Sequence, residues 1–172
     1  MSEAKIESAG ELLAHAYQME LEAQERYEML AAQMTAHNNT DLARLFAKLA
    51  VVEGIHAKDI LEQMAGMDIP EIAPHDLKWH GQESPEALDL GDMDYMMTPR
   101  QALLLALKAE ENAYEFFARL LRSTTDPEIK RFAAEFAEEE EEHVVMVEKE
   151  LLKYPDTGKP IKDDMDQPVD QG

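Results

Sequence analysis

The sequence predicts an all-α protein, an antiparallel four-helix bundle with a long crossover between the second and third helices. Three observations predict it. Four segments carry apolar residues three or four positions apart, the repeat of one buried helix face. Gly and Pro gather outside those segments, while Ala, Leu, Glu and Met fill them. The second pair of segments repeats the spacing of the first, with one Glu-x-x-His in each pair.

The first helix opens at Ser8, where Ser8-Ala9-Gly10-Glu11 reads as a capping box, and runs to about Ala36. Its inward series is Leu13, Ala16, Glu20, Ala23, Tyr27, Leu30 and Met34, with one acid embedded at Glu20. His15, at the edge of that stripe, reads as structural. The stretch from His37 to Thr40 is a polar break, with Thr40 the expected N-cap of the second helix. That helix runs from Asp41 to about Ala65 and ends before Gly66. Its stripe is Leu42, Leu45, Phe46, Leu49, Glu53, His56, Ile60 and Met64, so Glu53 and His56 fall on the buried face. Gly54 costs ~1 kcal/mol against Ala inside a helix, and marks a close helix contact or room beside the site.

Residues 67–97 break the pattern with Pro70, Pro74, Gly81, Pro85 and Gly91, and form the crossover. His75, Trp79 and His80 within it are expected to pack as a flap across the bundle, with an electron-entry or partner surface as the second reading. Thr98-Pro99 restarts the helical pattern, threonine as N-cap and proline at the first helical position. Leu103, Ala106, Glu110, Ala113, Phe117 and Leu120 line one face of the third helix, which stops around Ser123 to Thr125. Asp126-Pro127 starts the fourth in the same way. Ile129, Phe132, Ala133, Phe136, Val144, Val147 and Leu151 mark its buried stripe, and Glu140 and His143 stand inside it. Glu138, Glu139, Glu141 and Glu142 read as a solvated acidic face. The bundle is thus expected to occupy residues 1–155, and residues 156–172 to form a polar, loosely ordered tail.

Composition narrows the function. A formal net charge of -21 opposes binding to nucleic acid or to an anionic membrane and suits a protein that attracts cations. With no Cys there are no disulfides, zinc–thiolate sites, iron–sulfur clusters or rubredoxin-type iron centres in this sequence. The opening MSEAKIESAG lacks the apolar core of a signal peptide, and no apolar run approaches the ~20 residues of a membrane span. A cytoplasmic location is expected.

Each embedded acid lies near the middle of its helix, and antiparallel packing brings midpoints together. Four carboxylates and two imidazoles therefore converge at one depth. Four like charges in a core do not stay ionised unaided. Two divalent cations neutralise four glutamates, and two neutral histidines complete the set. Oxygen-rich ligation with one nitrogen per metal suits iron or manganese and accommodates zinc. Bridging carboxylates hold two metals ~3.5–4 Å apart and leave positions open for a small ligand. Iron in such a site makes dioxygen or peroxide the natural substrate.

The order Glu, Glu-x-x-His, crossover, Glu, Glu-x-x-His resembles the ferritin-like di-iron proteins, and most closely their rubrerythrin branch, over about Ser8 to Tyr154. The resemblance implies two iron ions, with Glu20 and Glu110 as terminal ligands, Glu53 and Glu140 as bridges, and His56 and His143 as one nitrogen ligand each. It implies that Tyr27 is a site-facing tyrosine with a catalytic part; a core aromatic with a satisfied hydroxyl is the other reading. It implies an oxidoreductase reducing peroxide or dioxygen with an external electron donor, rubredoxin- or flavoprotein-like, and a homodimer. A non-enzymatic iron-binding or storage protein, and a bundle with a purely structural metal, are the alternatives. Two departures stand out. The sequence has no rubredoxin-type cysteines, and the extra glutamate of the family, three residues after the third-helix ligand, is replaced by Ala113. Bacterioferritin is similar too, but its haem-binding methionine is here Gly54, which argues against haem.

Overall fold

In a computed structural model the described residues are 5–73 and 97–157. They form four helices: α1 (Ala9–Ala36), α2 (Thr40–Gln63), α3 (Pro99–Ser123) and α4 (Pro127–Leu151). No strand occurs among the described residues, and no helix there is long and apolar enough to cross a membrane. The fold is a ferritin-like antiparallel four-helix bundle. The expected flap residues His75, Trp79 and His80, most of the crossover, and the tail beyond residue 157 lie outside the described residues.

Local chemistry sets the helix ends. The Ser8 side chain accepts from the Glu11 amide at 3.1 Å, but the Glu11 carboxylate takes the amide of Glu7 (2.9 Å). The reciprocal arm of the box thus closes one residue early. Asn39, not Thr40, caps α2, its Oδ1 accepting from the Leu42 amide at 3.1 Å. Asparagine outranks threonine as a cap, and Thr40 becomes the first helical residue. Asn38 before it takes φ 58°, a left-handed conformation that asparagine tolerates in a tight link. Thr98 and Gln101 complete a full capping box on α3, and Asp126 caps α4 through the amides of Glu128 and Ile129. Each such cap contributes ~1 kcal/mol. At the end of α2, Gly66 at φ 79° turns the chain out of the helix.

The short links 37–39 and 124–126 make two antiparallel hairpins, α1–α2 and α3–α4. Backbones approach most closely within each hairpin. At the entry of α1, a Cβ on Gly10 would collide with the Asp68 carbonyl oxygen, so only glycine lets the chain after α2 pack there. Between the hairpins lie two apolar clusters. One holds Leu12, Leu13, Met19, Phe117, Phe132 and Phe136; the other holds Tyr27, Leu30, Met34, Phe46, Leu49 and Leu103. Burying each such side chain stabilises the fold by ~1.5–3 kcal/mol. Between the two clusters sits a layer of charge.

Candidate metal centre

The charged layer contains Glu20, Glu53, Glu110, Glu140 and His143, all buried, and His56, half-buried. Each occupies a position where helical spacing calls for an apolar residue, so forming the helices necessarily turns these groups inward. Three overlapping groups of ligand atoms, each within 4.8 Å of one another, arise from them. These are Glu53 with His56 and His143; Glu110 with Glu140 and His143; and Glu20 with His56 and Glu139. All six residues singled out in the sequence come together here.

The centre of the layer is His143. Its Nδ1 lies 3.2 Å from Glu53 Oε1, 3.5 Å from Glu110 Oε2 and 3.7 Å from Glu140 Oε2. His56 Nδ1 lies 3.5 Å from Glu53 Oε2 and 3.8 Å from Glu20 Oε2. These distances suit several donors aimed at shared points better than they suit paired hydrogen bonds. Accordingly His56 Nδ1, His143 Nδ1, Glu53 Oε1 and Glu110 Oε2 are buried atoms with no hydrogen-bond partner. Unsatisfied buried polar atoms are costly. Four in one layer, all good ligand atoms, fit a pair of divalent metal ions.

Residues 11–151 match the family model described as Rubrerythrin. The chain belongs to the rubrerythrin family. It is also similar to an uncharacterised conserved protein from Magnetospirillum magnetotacticum MS-1, known from a crystal structure, at 36% identity and a TM-score of 0.73. That likeness covers 90% of this chain and 98% of the other. No curated protein matches the chain.

Within this rubrerythrin-family site, burial and neighbouring charge shift the titrating groups in different directions. Burial, then the carboxylates of Glu140 and Glu53, push Glu20 well above the ordinary carboxylate range. Burial likewise raises Glu140, more than His143 can offset. For Glu53, burial is outweighed by the nearby imidazoles of His143 and His56, and its carboxyl is lowered. His56 is raised by Glu53, and His143 by Glu110, Glu140 and Glu53 against the opposing effect of burial.

Arg26 was hidden in the sequence. It is buried, its Nη2 lies 3.3 Å from Glu110 Oε1, and its guanidinium sits 4.7 Å from the Tyr27 ring centroid. The Tyr27 hydroxyl donates to the same Glu110 oxygen. Burial, then the charge of Glu110, raises Tyr27 well above its ordinary value, so this phenol keeps its proton. Glu110 is therefore split: Oε1 is held by Arg26 and Tyr27, while Oε2 faces His143 without a hydrogen bond. The clamp has no copy in the other hairpin. Arg26 and Tyr27 follow Glu20 by six and seven residues, and the equivalents after Glu110 are Phe116 and Phe117.

Other positions fall where packing puts them. Ala113 is wholly buried in the apolar cluster with Phe116 and Phe117. Gly54 lies under Gln24, whose Oε1 would be 3.2 Å from an added Cβ, so the glycine marks a close α1–α2 contact. His15 is buried and donates through Nδ1 to the Glu11 carbonyl at 2.8 Å, a structural role. Glu139, expected on the solvated face, is instead half-buried beside His56 and Glu20.

Proposed function

We propose that this protein is a di-iron oxidoreductase that reduces peroxide or dioxygen with electrons from an external donor, rubredoxin- or flavoprotein-like. The observation that carries the reading is the set of partnerless buried ligand atoms on Glu53, His56, Glu110 and His143, shared between overlapping groups. In that reading Glu20 and Glu110 are terminal ligands, Glu53 and Glu140 bridge, and His56 and His143 each supply a nitrogen. Iron bound there would supply electron transfer to the oxidant, and manganese or zinc could occupy the same donors.

The protein's own groups shape that chemistry. Arg26 and Tyr27 fix one Glu110 oxygen and leave the other for ligation. Tyr27, held protonated beside the site, keeps its hydroxyl donating to Glu110. The apolar clusters flank the layer on either side, and His56 and Glu139 form its half-buried edge. A homodimer has a surface available in Val51 and Ile55, exposed apolar residues one turn apart on α2.

The test is anaerobic loading with Fe(II), followed by stopped-flow mixing with peroxide or with dioxygen. Two irons per chain, oxidation by at least one of the two, and steady turnover with added reductant are expected. A single oxidation without turnover in a large closed shell would instead identify an iron-storage protein, and solution mass reads that directly.

A further inference from the structure

We propose that Glu139 is a fifth carboxylate of the site, a ligand of the divalent metal held beside Glu20 and His56. The inference rests on the di-metal reading above and adds to it a residue outside the duplicated six. Ligand atoms of Glu20, His56 and Glu139 all lie within 4.8 Å of one another. Two ligands on opposite sides of one ion at about 2.1 Å each would stand about 4.2 Å apart. The three come from α1, α2 and α4, so their meeting is not a by-product of one acidic helix face. Within the acidic run of α4, Glu138, Glu141 and Glu142 are exposed, whereas Glu139 is half-buried. Within the cluster His56 Nδ1, 3.8 Å from Glu20 Oε2, is a buried atom with no hydrogen-bond partner.

Arg26, ion-paired with Glu110, adds a positive charge to the buried layer, and half-buried Glu139 adds a negative one at its edge. Neither residue belongs to the internal repeat. The residue before Glu140 is Glu139, while the residue before its equivalent Glu53 is Val52, just as Arg26 is matched by Phe116. The repeat has thus acquired one cation and one anion, on opposite hairpins.

The experiment is titration of the metal-free protein with Co(II), read by calorimetry and by the visible ligand-field spectrum. Glu139→Gln keeps shape and removes charge; Glu138→Gln is the exposed control. Wild type and Glu138→Gln are expected to bind two Co(II) with the same curve. Glu139→Gln is expected to weaken one of the two equivalents by about tenfold or more. Its spectrum should also intensify, as the coordination number at that ion falls. A Glu139→Gln protein whose affinity and spectrum match wild type overturns the proposal and leaves the di-metal reading standing. Wild-type protein that takes up fewer than two Co(II) overturns that reading and this proposal with it.

Discussion

The imidazoles of His56 and His143 lie face to face, ring centroids 5.4 Å apart and planes 7° from parallel, one from each hairpin. Both are shifted toward the protonated form by the carboxylates around them. That makes the metal-free site sensitive to pH.

The sign follows group by group. Glu20 and Glu140 have raised folded values, so their contribution is full below about pH 4.3 and is lost as pH rises through those values. His56 and His143, also raised, contribute fully below about pH 6.5 and lose that contribution above it. Glu53, lowered, acts oppositely, its contribution being lost only in strong acid. The melting temperature of the metal-free protein should therefore fall between about pH 5 and 9, by about 2–4 °C per kcal/mol lost. The gap to the metal-loaded form should widen over the same interval. A metal-free melting temperature that stays level or climbs would contradict a clustered site.

Metal uptake should expel the protons that stand in for it. Near pH 7, Glu20, Glu140, His56 and His143 all hold protons more tightly than usual. Binding enthalpies measured in buffers of different ionisation enthalpy should then diverge in proportion to the protons released. Identical enthalpies in all buffers would mean that the ligands were already deprotonated.

Register decides which acids matter. Glu140→Ala should cut divalent-metal binding from two ions per chain to one or none. Glu141→Ala, on an exposed neighbour, should leave the stoichiometry unchanged. Equal losses in the two variants, measured by elemental analysis, would defeat the argument from helical face.

The Arg26 clamp has a measurable energetic signature. Arg26→Met leaves Glu110 buried without its ion-pair partner and should destabilise the metal-free protein by ~3–5 kcal/mol in urea melts. Tyr27→Phe removes one donor and should cost ~1–3 kcal/mol. Metal on the other Glu110 oxygen relieves the stranded charge, so both penalties should shrink on loading. Penalties that grow on loading would show the clamp and the metal acting on different groups.

Ala113 carries the last prediction. It is wholly buried in the apolar cluster that also holds Phe116, Phe117, Phe132 and Phe136. Ala113→Glu places a longer, charged side chain there, and overpacking alone should cost ~1–3 kcal/mol in the metal-free state. If the new carboxylate reaches an ion, metal should restore the loss and raise the preference for peroxide over dioxygen. Full stability without metal would mean that the site has more room than its packing indicates.

The fold was legible because the four segments keep one period and change it only at strong punctuation such as Thr98-Pro99 and Asp126-Pro127. Glu20, Glu53, Glu110 and Glu140 were legible as charges standing in apolar stripes. Arg26 and Glu139 obey the same rule on adjoining rows: Met19, Ala23, Arg26, Leu30 and Phe132, Phe136, Glu139, His143. A buried face spans more than one row of side chains, and in each helix the neighbouring row already holds an acid, so neither residue stands out by spacing. The Arg26 partner is also 84 residues away, where periodicity carries no information. The Asn39 cap was missed for a simpler reason: Asn39 and Thr40 are adjacent cap formers, and only the backbone angles decide between them.

Two of the three ligand groups draw on both hairpins: Glu53 and His56 with His143, and Glu20 and His56 with Glu139. Helices from different hairpins approach one another less closely than partners within a hairpin. A metal there would be a clasp between the two hairpins, where backbones stand furthest apart. Loading it should slow hydrogen exchange in all four helices together, and stripping it should let the two hairpins breathe as separate units.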